Sequence, residues 1–196
     1  MGESLLSQPS ERIATLFSAE DIASRVEDLA DAIVAAAVRP LLVEVIMNGA
    51  VIFGADLVRA LSRRGLVVEI DFIALSSYGK GLESSGEIVL EADARGAIAD
   101  RDVLLLDDIL ETGRTLAYAK SYFERRKAAQ VMTCVLLDKS AGHKPLVMPD
   151  FTGFICPDRF VVGYGMDYAY RFRELPYIGY MSASEEEASH GPDPGR

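Results

Sequence analysis

Residues 104–115 read LLLDDILETGRT, an apolar run that passes into adjacent carboxylates, a glycine and hydroxyl-bearing side chains. The pattern predicts a buried strand over residues 103–106, an acidic loop that contains Asp107 and Asp108, and a helix around residues 116–126. Neighbouring carboxylates repel each other, so the end of this strand must meet a group that favours negative charge. A metal ion, a polyol, a protonated base and a helix N-terminus all satisfy that requirement.

The same passage from apolar strand to helix recurs along the chain. Residues 41–47 (LLVEVIM) precede Asn48 and Gly49, and residues 51–65 then show helical spacing that ends at a glycine. Residues 131–137 (VMTCVLL) form another apolar run. Continuous apolar strands that alternate with helices predict an α/β fold with a twisted, mainly parallel sheet and helices on both faces. Ligands of such sheets bind beyond the carboxyl ends of the strands.

Further elements are expected on either side of this core. Ser18 and Asp21 have the spacing of a capping box, and apolar residues then recur at helical intervals towards Pro40. Residues 66–75 are β-branched and apolar, which predicts a strand, and a Gly- and Ser-rich loop behind them leads back into another strand.

Composition limits the possible classes of protein. The chain has 196 residues and a net charge of −10, which favours one folded domain over residues 1–181 and argues against binding to nucleic acid or to anionic membranes. Residues 182–196 are acidic and poor in apolar side chains, so we expect a disordered tail. The N-terminus lacks the pattern of a signal peptide, and Cys134 and Cys156 are expected as reduced thiols of a cytoplasmic protein.

The acidic loop has the chemistry of a sugar-phosphate site. Backbone amides at the start of a helix bind phosphate, and Thr112, Gly113, Arg114 and Thr115 stand at that position. Carboxylates accept hydrogen bonds from sugar hydroxyls or hold Mg²⁺ through water. In the alternative interpretation, Asp108 and Thr112 only cap the helix and the other acid is solvated.

Three stretches of the sequence carry a resemblance to a known family. LLLDDILETGRT resembles the phosphoribosyl-pyrophosphate signature of the type I phosphoribosyltransferases. SSYGKGLESSGEI resembles the lid loop of hypoxanthine-guanine phosphoribosyltransferases, here about residues 76–86. PDRFVVGYGMDYAYRFRELPYIG resembles the small C-terminal hood of the same enzymes, about residues 151–181. The resemblance spans roughly residues 40–181 and implies the type I phosphoribosyltransferase fold.

The resemblance also implies how phosphoribosyl pyrophosphate would bind. Asp107 and Asp108 match the acids that hold the ribose hydroxyls and, through water, Mg²⁺. The 5′-phosphate loop corresponds to Thr112, Gly113, Arg114 and Thr115. The remaining residues of this set match the pyrophosphate loop, the lid and an arginine that reaches the leaving group: Asn48, Gly49, Ser77, Tyr78 and Arg173.

A second group of residues matches the family's purine subsite. Lys139 corresponds to the lysine that contacts the 6-oxo group, which suits hypoxanthine or guanine because an ammonium group donates to a keto oxygen. Phe160 matches the aromatic ring that stacks on the base, and Val161 the residue whose backbone meets the base edge. Asp167 is assigned both to this subsite and to Mg²⁺ on the pyrophosphate side.

Two positions depart from the family pattern. Glu111 stands where these enzymes carry the aspartate that accepts the N7 proton. One extra methylene moves the carboxylate, and misplacement by about 1 Å can cost on the order of 10²-fold in rate. Asn48 replaces a lysine before Gly49, and the loss of a charged hydrogen bond costs roughly 1.5–3 kcal/mol.

The implied activity is Mg²⁺-dependent transfer of a 5-phosphoribosyl group to N9 of a 6-oxopurine, which gives IMP or GMP in purine salvage. Glu111 and Asn48 leave two alternatives open. In the first alternative, the chain is a non-catalytic nucleotide-binding or regulatory homologue. In the second, it transfers the phosphoribosyl group to another base such as xanthine. Relatives form dimers and tetramers, so the resemblance also implies a homodimer or homotetramer.

Overall fold

The computed structural model describes residues 13–77, 88–94, 96–140, 142 and 144–181. Their strands and helices follow in the order β1 (Ile13–Phe17), α1 (Ala19–Ala36), β2 (Leu41–Met47), α2 (Val51–Arg63), β3 (Val68–Ser77), β4 (Ile88–Ala92), β5 (Asp102–Leu110), α3 (Arg114–Arg125), β6 (Gln130–Asp138), β7 (Phe151–Ile155), β8 (Val161–Val162) and β9 (Ile178–Met181).

A six-stranded central sheet organises the fold, with the strand order β4-β3-β2-β5-β6-β7. All neighbouring pairs are parallel except β3 and β4. This confirms the predicted α/β class with a mainly parallel sheet. In the sheet, β3 lies on one side of β2, and β5, which comes later in the chain, lies on the other side. A crevice therefore opens between the ends of β2 and β5, at the switch point where open α/β sheets bind ligands.

Both faces of the sheet are covered, as the apolar strands predict. Along β2, Leu41, Val43 and Val45 pack with α1 and α2 in one core cluster. Leu42 and Ile46 point to the other face, where the core includes residues of α3. Successive side chains of a strand alternate between faces, so a strand that is apolar throughout serves both clusters.

The predicted capping box at the start of α1 is confirmed, whereas the predicted end of β5 is wrong. The Ser18 hydroxyl accepts a hydrogen bond from the Asp21 amide at 3.1 Å, and the Asp21 carboxylate accepts from the Ser18 amide at 3.0 Å. The strand expected over residues 103–106 continues to Leu110, because β5 pairs with β6 as far as Asp138. The two acids that follow Leu106 thus belong to the strand and not to a loop after it.

A second, three-stranded sheet has the order β1-β9-β8 and is antiparallel. It includes β1 from the N-terminal part of the chain, whereas residues 151–155 pair with β6 in the central sheet. The hood differs in these two respects from the predicted span of residues 151–181. Most of the predicted lid, with Tyr78, and the predicted tail lie outside the described residues. In the portion of the chain that the structure covers, no helix is long and apolar enough to cross a membrane.

Glu44 is a buried carboxylate in the middle of β2. Its neighbours across the sheet are Asp71 on β3 and Leu105 on β5. The side chain is fully buried, and neither carboxylate oxygen has a hydrogen-bond partner among the described residues. Burial, with a smaller contribution from the charge of Asp71, raises the pKa of Glu44 from 4.5 to about 8.

We expect Glu44→Gln to change how stability depends on pH. Between its unfolded value of 4.5 and its folded value of about 8, the folded chain holds a proton that the unfolded chain releases. The wild-type protein therefore loses stability as pH rises through this window, by up to about 1.4 kcal/mol per pH unit. Glutamine does not ionise, so the difference in free energy of unfolding between variant and wild type should grow with pH. Urea titrations at several pH values measure it. A constant difference would contradict the protonation of Glu44, and the exposed Glu124→Gln is the control.

Candidate active site

The ends of β2, β5 and β6 meet the hood around two adjoining cavities. One cavity has a volume of about 290 Å³ and is lined by residues 107–116. The other has a volume of about 390 Å³ and lies between the β2 loop, Lys139 and the hood residues Phe160 and Arg173. Asp108, Ile109 and Glu111 line both cavities. The crevice at the switch point is thus one connected site.

Asp107 and Asp108 form the floor of the site near the end of β5. Asp107 is 6% exposed, and one of its oxygens accepts a hydrogen bond from the Asp108 amide at 3.1 Å. Burial and the neighbouring Asp108 carboxylate raise the pKa of Asp107 well above its ordinary value. Burial also raises the pKa of Asp108, while Arg173 acts in the opposite direction. Both carboxylates are thus held where a hydrogen-bond donor or a cation would stabilise their charged forms.

The loop after β5 presents the N-terminus of α3 to the smaller cavity. Gly113 is the N-cap residue, and its φ of 74° lies in the left-handed region that favours glycine. A Cβ atom there would also lie 3.1 Å from the Leu146 amide nitrogen. Gly113 has no side chain to cap the helix, and the Thr112 hydroxyl accepts a hydrogen bond from the Arg114 amide at 3.4 Å. The alternative interpretation is wrong in expecting a solvated Asp107, because that residue is buried. The first amides of a helix have no partner within it and are suited to bind an anion.

The loop after β2 approaches Asp108 very closely. The peptide bond between Met47 and Asn48 is cis. A Cβ atom at Gly49 would lie 1.8 Å from Asp108 Oδ2, closer than any real contact. Only glycine fits between the β2 loop and the acidic end of β5. Asn48 and Gly49, the predicted pyrophosphate loop, both line the larger cavity.

Lys139 and Glu111 form an ion pair across the larger cavity. Lys139 Nζ lies 2.9 Å from Glu111 Oε1. Lys139 follows directly after β6, and its amide donates to the Leu110 carbonyl at 2.8 Å, which holds the two loops together. The lysine side chain is 8% exposed and that of Glu111 is 58% exposed. The pair therefore presents a buried donor beside an accessible acceptor.

The hood supplies an aromatic ring and a second ion pair. Phe160 is 43% exposed and packs edge-on against Tyr168, with ring centroids 5.7 Å apart. Val161 is buried in β8. Arg173 lies 2.7 Å from Asp167 Oδ1 and donates to the Gly165 carbonyl at 2.5 Å. The larger cavity is thus lined by the partly exposed ring of Phe160, by Lys139 and by Arg173, whose guanidinium is paired with Asp167.

The structure brings most of the predicted site residues around these cavities. The predicted residues other than Ser77 and Tyr78 all line one cavity or the other. Ser77 is the last residue of β3, and Tyr78 lies outside the described residues. Sequence reasoning missed Asp158, whose Oδ1 lies 3.9 Å from Lys139 Nζ. The only signal for Asp158 was its position two residues before Phe160.

The carboxylates of Asp107 and Asp108 are suited to bind Mg²⁺. Within the described part of the chain, no group of three or more His, Cys, Asp or Glu side chains is arranged to hold a metal by itself. Mg²⁺ does not need such a group, because it keeps several waters and binds through one or two carboxylates together with substrate phosphates. Two adjacent carboxylates beside an anion-binding helix end match that requirement.

Comparison with known proteins identifies the class to which this site belongs. A family model described as a phosphoribosyl transferase domain matches residues 13–169. The chain is therefore a phosphoribosyltransferase-family protein. It is similar to the hypoxanthine-guanine phosphoribosyltransferase of Bacillus subtilis, with 42% identity over 143 residues that cover 73% of this chain and 78% of that protein. The chain belongs to the hypoxanthine-guanine phosphoribosyltransferase family.

The chain is also similar to part of a longer protein and to a solved structure with a bound nucleotide. The bifunctional protein TilS/HprT of Listeria innocua is 46% identical over 142 residues, which cover 72% of this chain and 21% of that longer protein. A structure of hypoxanthine phosphoribosyltransferase from Trypanosoma cruzi in complex with the product IMP is 35% identical, with a TM-score of 0.79. The alignment covers 87% of this chain and 94% of that one.

We expect Gly49→Ala to disturb the acidic end of β5. The added methyl group must displace Asp108 or the β2 loop, and overpacking of this kind costs typically about 1–3 kcal/mol. Chemical denaturation measures the loss of stability, and a crystal structure of the variant would show the carboxylate moved. Gly96→Ala is the matched control, because a Cβ atom there meets nothing within 4 Å. Equal stability of the two variants would contradict the close approach.

Proposed function

We propose that the protein transfers the 5-phosphoribosyl group of phosphoribosyl pyrophosphate to N9 of hypoxanthine or guanine. The products are IMP or GMP and pyrophosphate, as purine salvage requires. The observation that carries the proposal is the connected crevice, which has an anion-binding helix end at one side and the Lys139–Glu111 pair at the other. Similarity to the hypoxanthine-guanine phosphoribosyltransferase of B. subtilis and to the T. cruzi enzyme in complex with its product IMP supports the proposal.

The smaller cavity accounts for the phosphoribosyl part of the substrate. Amides and hydroxyls of residues 112–115 would bind the 5′-phosphate, with Gly113 allowing the turn into α3. Asp107 and Asp108 would accept hydrogen bonds from the ribose hydroxyls, which stabilise their ionised forms despite burial.

The leaving group would lie between the β2 loop and the hood. Gly49 keeps space for it, and Arg173 supplies positive charge there while Asp167 holds the guanidinium in place. Bound Mg²⁺, held by Asp107, Asp108 and Asp167, would neutralise charge on the pyrophosphate. Asn48 contributes an amide where the family pattern has a lysine. Ser77 and Tyr78, in the proposed lid, would exclude water from the reacting ribose.

The purine would enter between Phe160 and the Lys139–Glu111 pair. Phe160 would stack on the ring, while the backbone at Val161 meets the base edge. Lys139 would donate to O6, and Glu111 would accept the proton from N7. Adjacent O6 and N7–H groups on the purine match the donor and acceptor that this pair presents at 2.9 Å.

With these proposed contacts, the transfer accounts for its proton and for the bonds that form and break. N9 attacks C1 of the ribose as the bond to pyrophosphate breaks, and the N7 proton moves to Glu111 so that the purine gains no positive charge. Positioning of the two substrates in one crevice supplies much of the rate enhancement. Glu111 reaches Lys139 at 2.9 Å, with the lysine side chain buried.

Assembly into a homodimer or homotetramer is part of the proposal. Ile70 and Phe72 of β3 and Val89 of β4 are apolar and 44%, 39% and 38% exposed, and they lie on one face of the sheet. Burial of such a patch against another subunit is favourable.

A pyrophosphate-release assay with Mg²⁺ tests the proposed activity directly. Hypoxanthine and guanine are expected to support turnover, because Lys139 donates to their 6-oxo group. Adenine is expected to react at least about 10²-fold more slowly, because its 6-amino group opposes the ammonium group. Failure of every base to release pyrophosphate would refute the activity. Tight binding of GMP without turnover would favour the non-catalytic alternative.

Glu111→Ala is expected to reduce kcat by about 10²-fold or more, since it removes the acceptor of the N7 proton. The affinity for phosphoribosyl pyrophosphate should remain within about twofold, because the carboxylate lies on the purine side of the site. Steady-state kinetics and calorimetry separate the two effects. Unchanged turnover would exclude Glu111 from the mechanism, and Glu124→Gln serves as the charge-matched control.

A further inference from the structure

Two carboxylates flank one lysine at the purine end of the crevice. Lys139 Nζ lies 2.9 Å from Glu111 Oε1 and 3.9 Å from Asp158 Oδ1. The lysine is 8% exposed, whereas the Asp158 side chain is 94% exposed and stands at the rim. One ammonium group and two carboxylates give this end of the cavity a formal charge of −1.

Among the described residues, two other cationic ones line the connected site, Arg114 in the smaller cavity and Arg173 in the larger one, and neither of them forms an ion pair with Asp158. Arg173 is the remaining cationic residue that lines the larger cavity, and it is paired with Asp167 at 2.7 Å. The Arg159 guanidinium lies over the Tyr180 ring, 4.3 Å from its centroid. Asp158 therefore adds a negative charge that Lys139, already paired with Glu111, does not fully compensate.

Purine bases differ in how they respond to such a charge. Hypoxanthine and guanine are neutral near physiological pH. Xanthine has a second oxo group and loses a proton near neutrality, so part of it is an anion. All three offer O6 to Lys139, but only the xanthine anion is repelled by the two carboxylates.

We propose that Asp158, together with Glu111, makes the purine subsite select neutral 6-oxopurines and reject anionic xanthine. Asp158 is a specificity-determining residue in this account, and the inference rests on the proposed function. Because Asp158 is exposed, its field is partly screened by water and salt. A change of about three- to tenfold in base preference is the expected scale for one such charge.

The test compares guanine and xanthine in the wild type, in Asp158→Asn and in the control Glu124→Gln. In the wild type, the ratio of kcat/KM for guanine to that for xanthine should rise with pH as xanthine ionises. In Asp158→Asn the ratio at about pH 8 should fall about three- to tenfold, and its dependence on pH should flatten. Guanine kcat/KM should stay within about twofold, and added salt should reduce the difference between the variants.

A binding measurement keeps the inference separate from catalysis. Calorimetric affinities for GMP and XMP read the same subsite without turnover, and their ratio should fall in Asp158→Asn by a similar factor. GMP binding with an unchanged ratio would overturn the role of Asp158 while leaving the proposed function intact. Wild-type use of xanthine equal to that of guanine at about pH 8 would also overturn it. Absence of both turnover and GMP binding would refute the proposed function itself.

Discussion

The buried carboxylate of Asp107 lies beside the half-buried carboxylate of Asp108, near the end of a strand whose preceding residues are apolar. Removing a carboxylate from water costs several kcal/mol, and a like charge beside it adds to that cost. β5 pairs with β2 as far as Leu106 and with β6 as far as Leu110, and this pairing keeps the two residues in place despite the cost. A site built in this way is stabilised when ribose hydroxyls or a hydrated cation share the charge.

The surroundings of this pair follow from the same constraint. Gly49 has no side chain because Asp108 occupies the space where a Cβ atom would lie. The helix end that starts at Gly113 and the guanidinium of Arg173 bring positive potential to either side of the carboxylates. Under the proposed function, phosphate and pyrophosphate groups would thus have favourable positions on both sides of a ribose that the two acids would hold.

Much of the fold and most of the site could be predicted from local patterns. The β2 run, residues 41–47, has the predicted bounds because an apolar segment ends at a tight turn, and the Ser18 capping box depends only on neighbouring residues. The length of β5 could not be predicted, because its last residues are ordered by pairing with β6.

Contacts between distant parts of the chain explain the rest. The entry of β1 into the hood sheet depends on pairing with β9, more than a hundred residues away in sequence. The unpartnered burial of Glu44 follows from the cover of α3 over that face of the sheet. Asp158 lies near Lys139 only in the folded chain, where the hood packs at the end of β6.

A crystal structure of the protein with GMP and Mg²⁺ tests the central claim most directly. The account expects the 5′-phosphate at the amides of residues 112–115, the ribose hydroxyls on Asp107 and Asp108, and O6 of the base at Lys139. A nucleotide bound elsewhere would contradict it, for instance in the separate cavity of about 490 Å³ beside Arg59 and Arg63. So would a ribose that makes no contact with the two carboxylates.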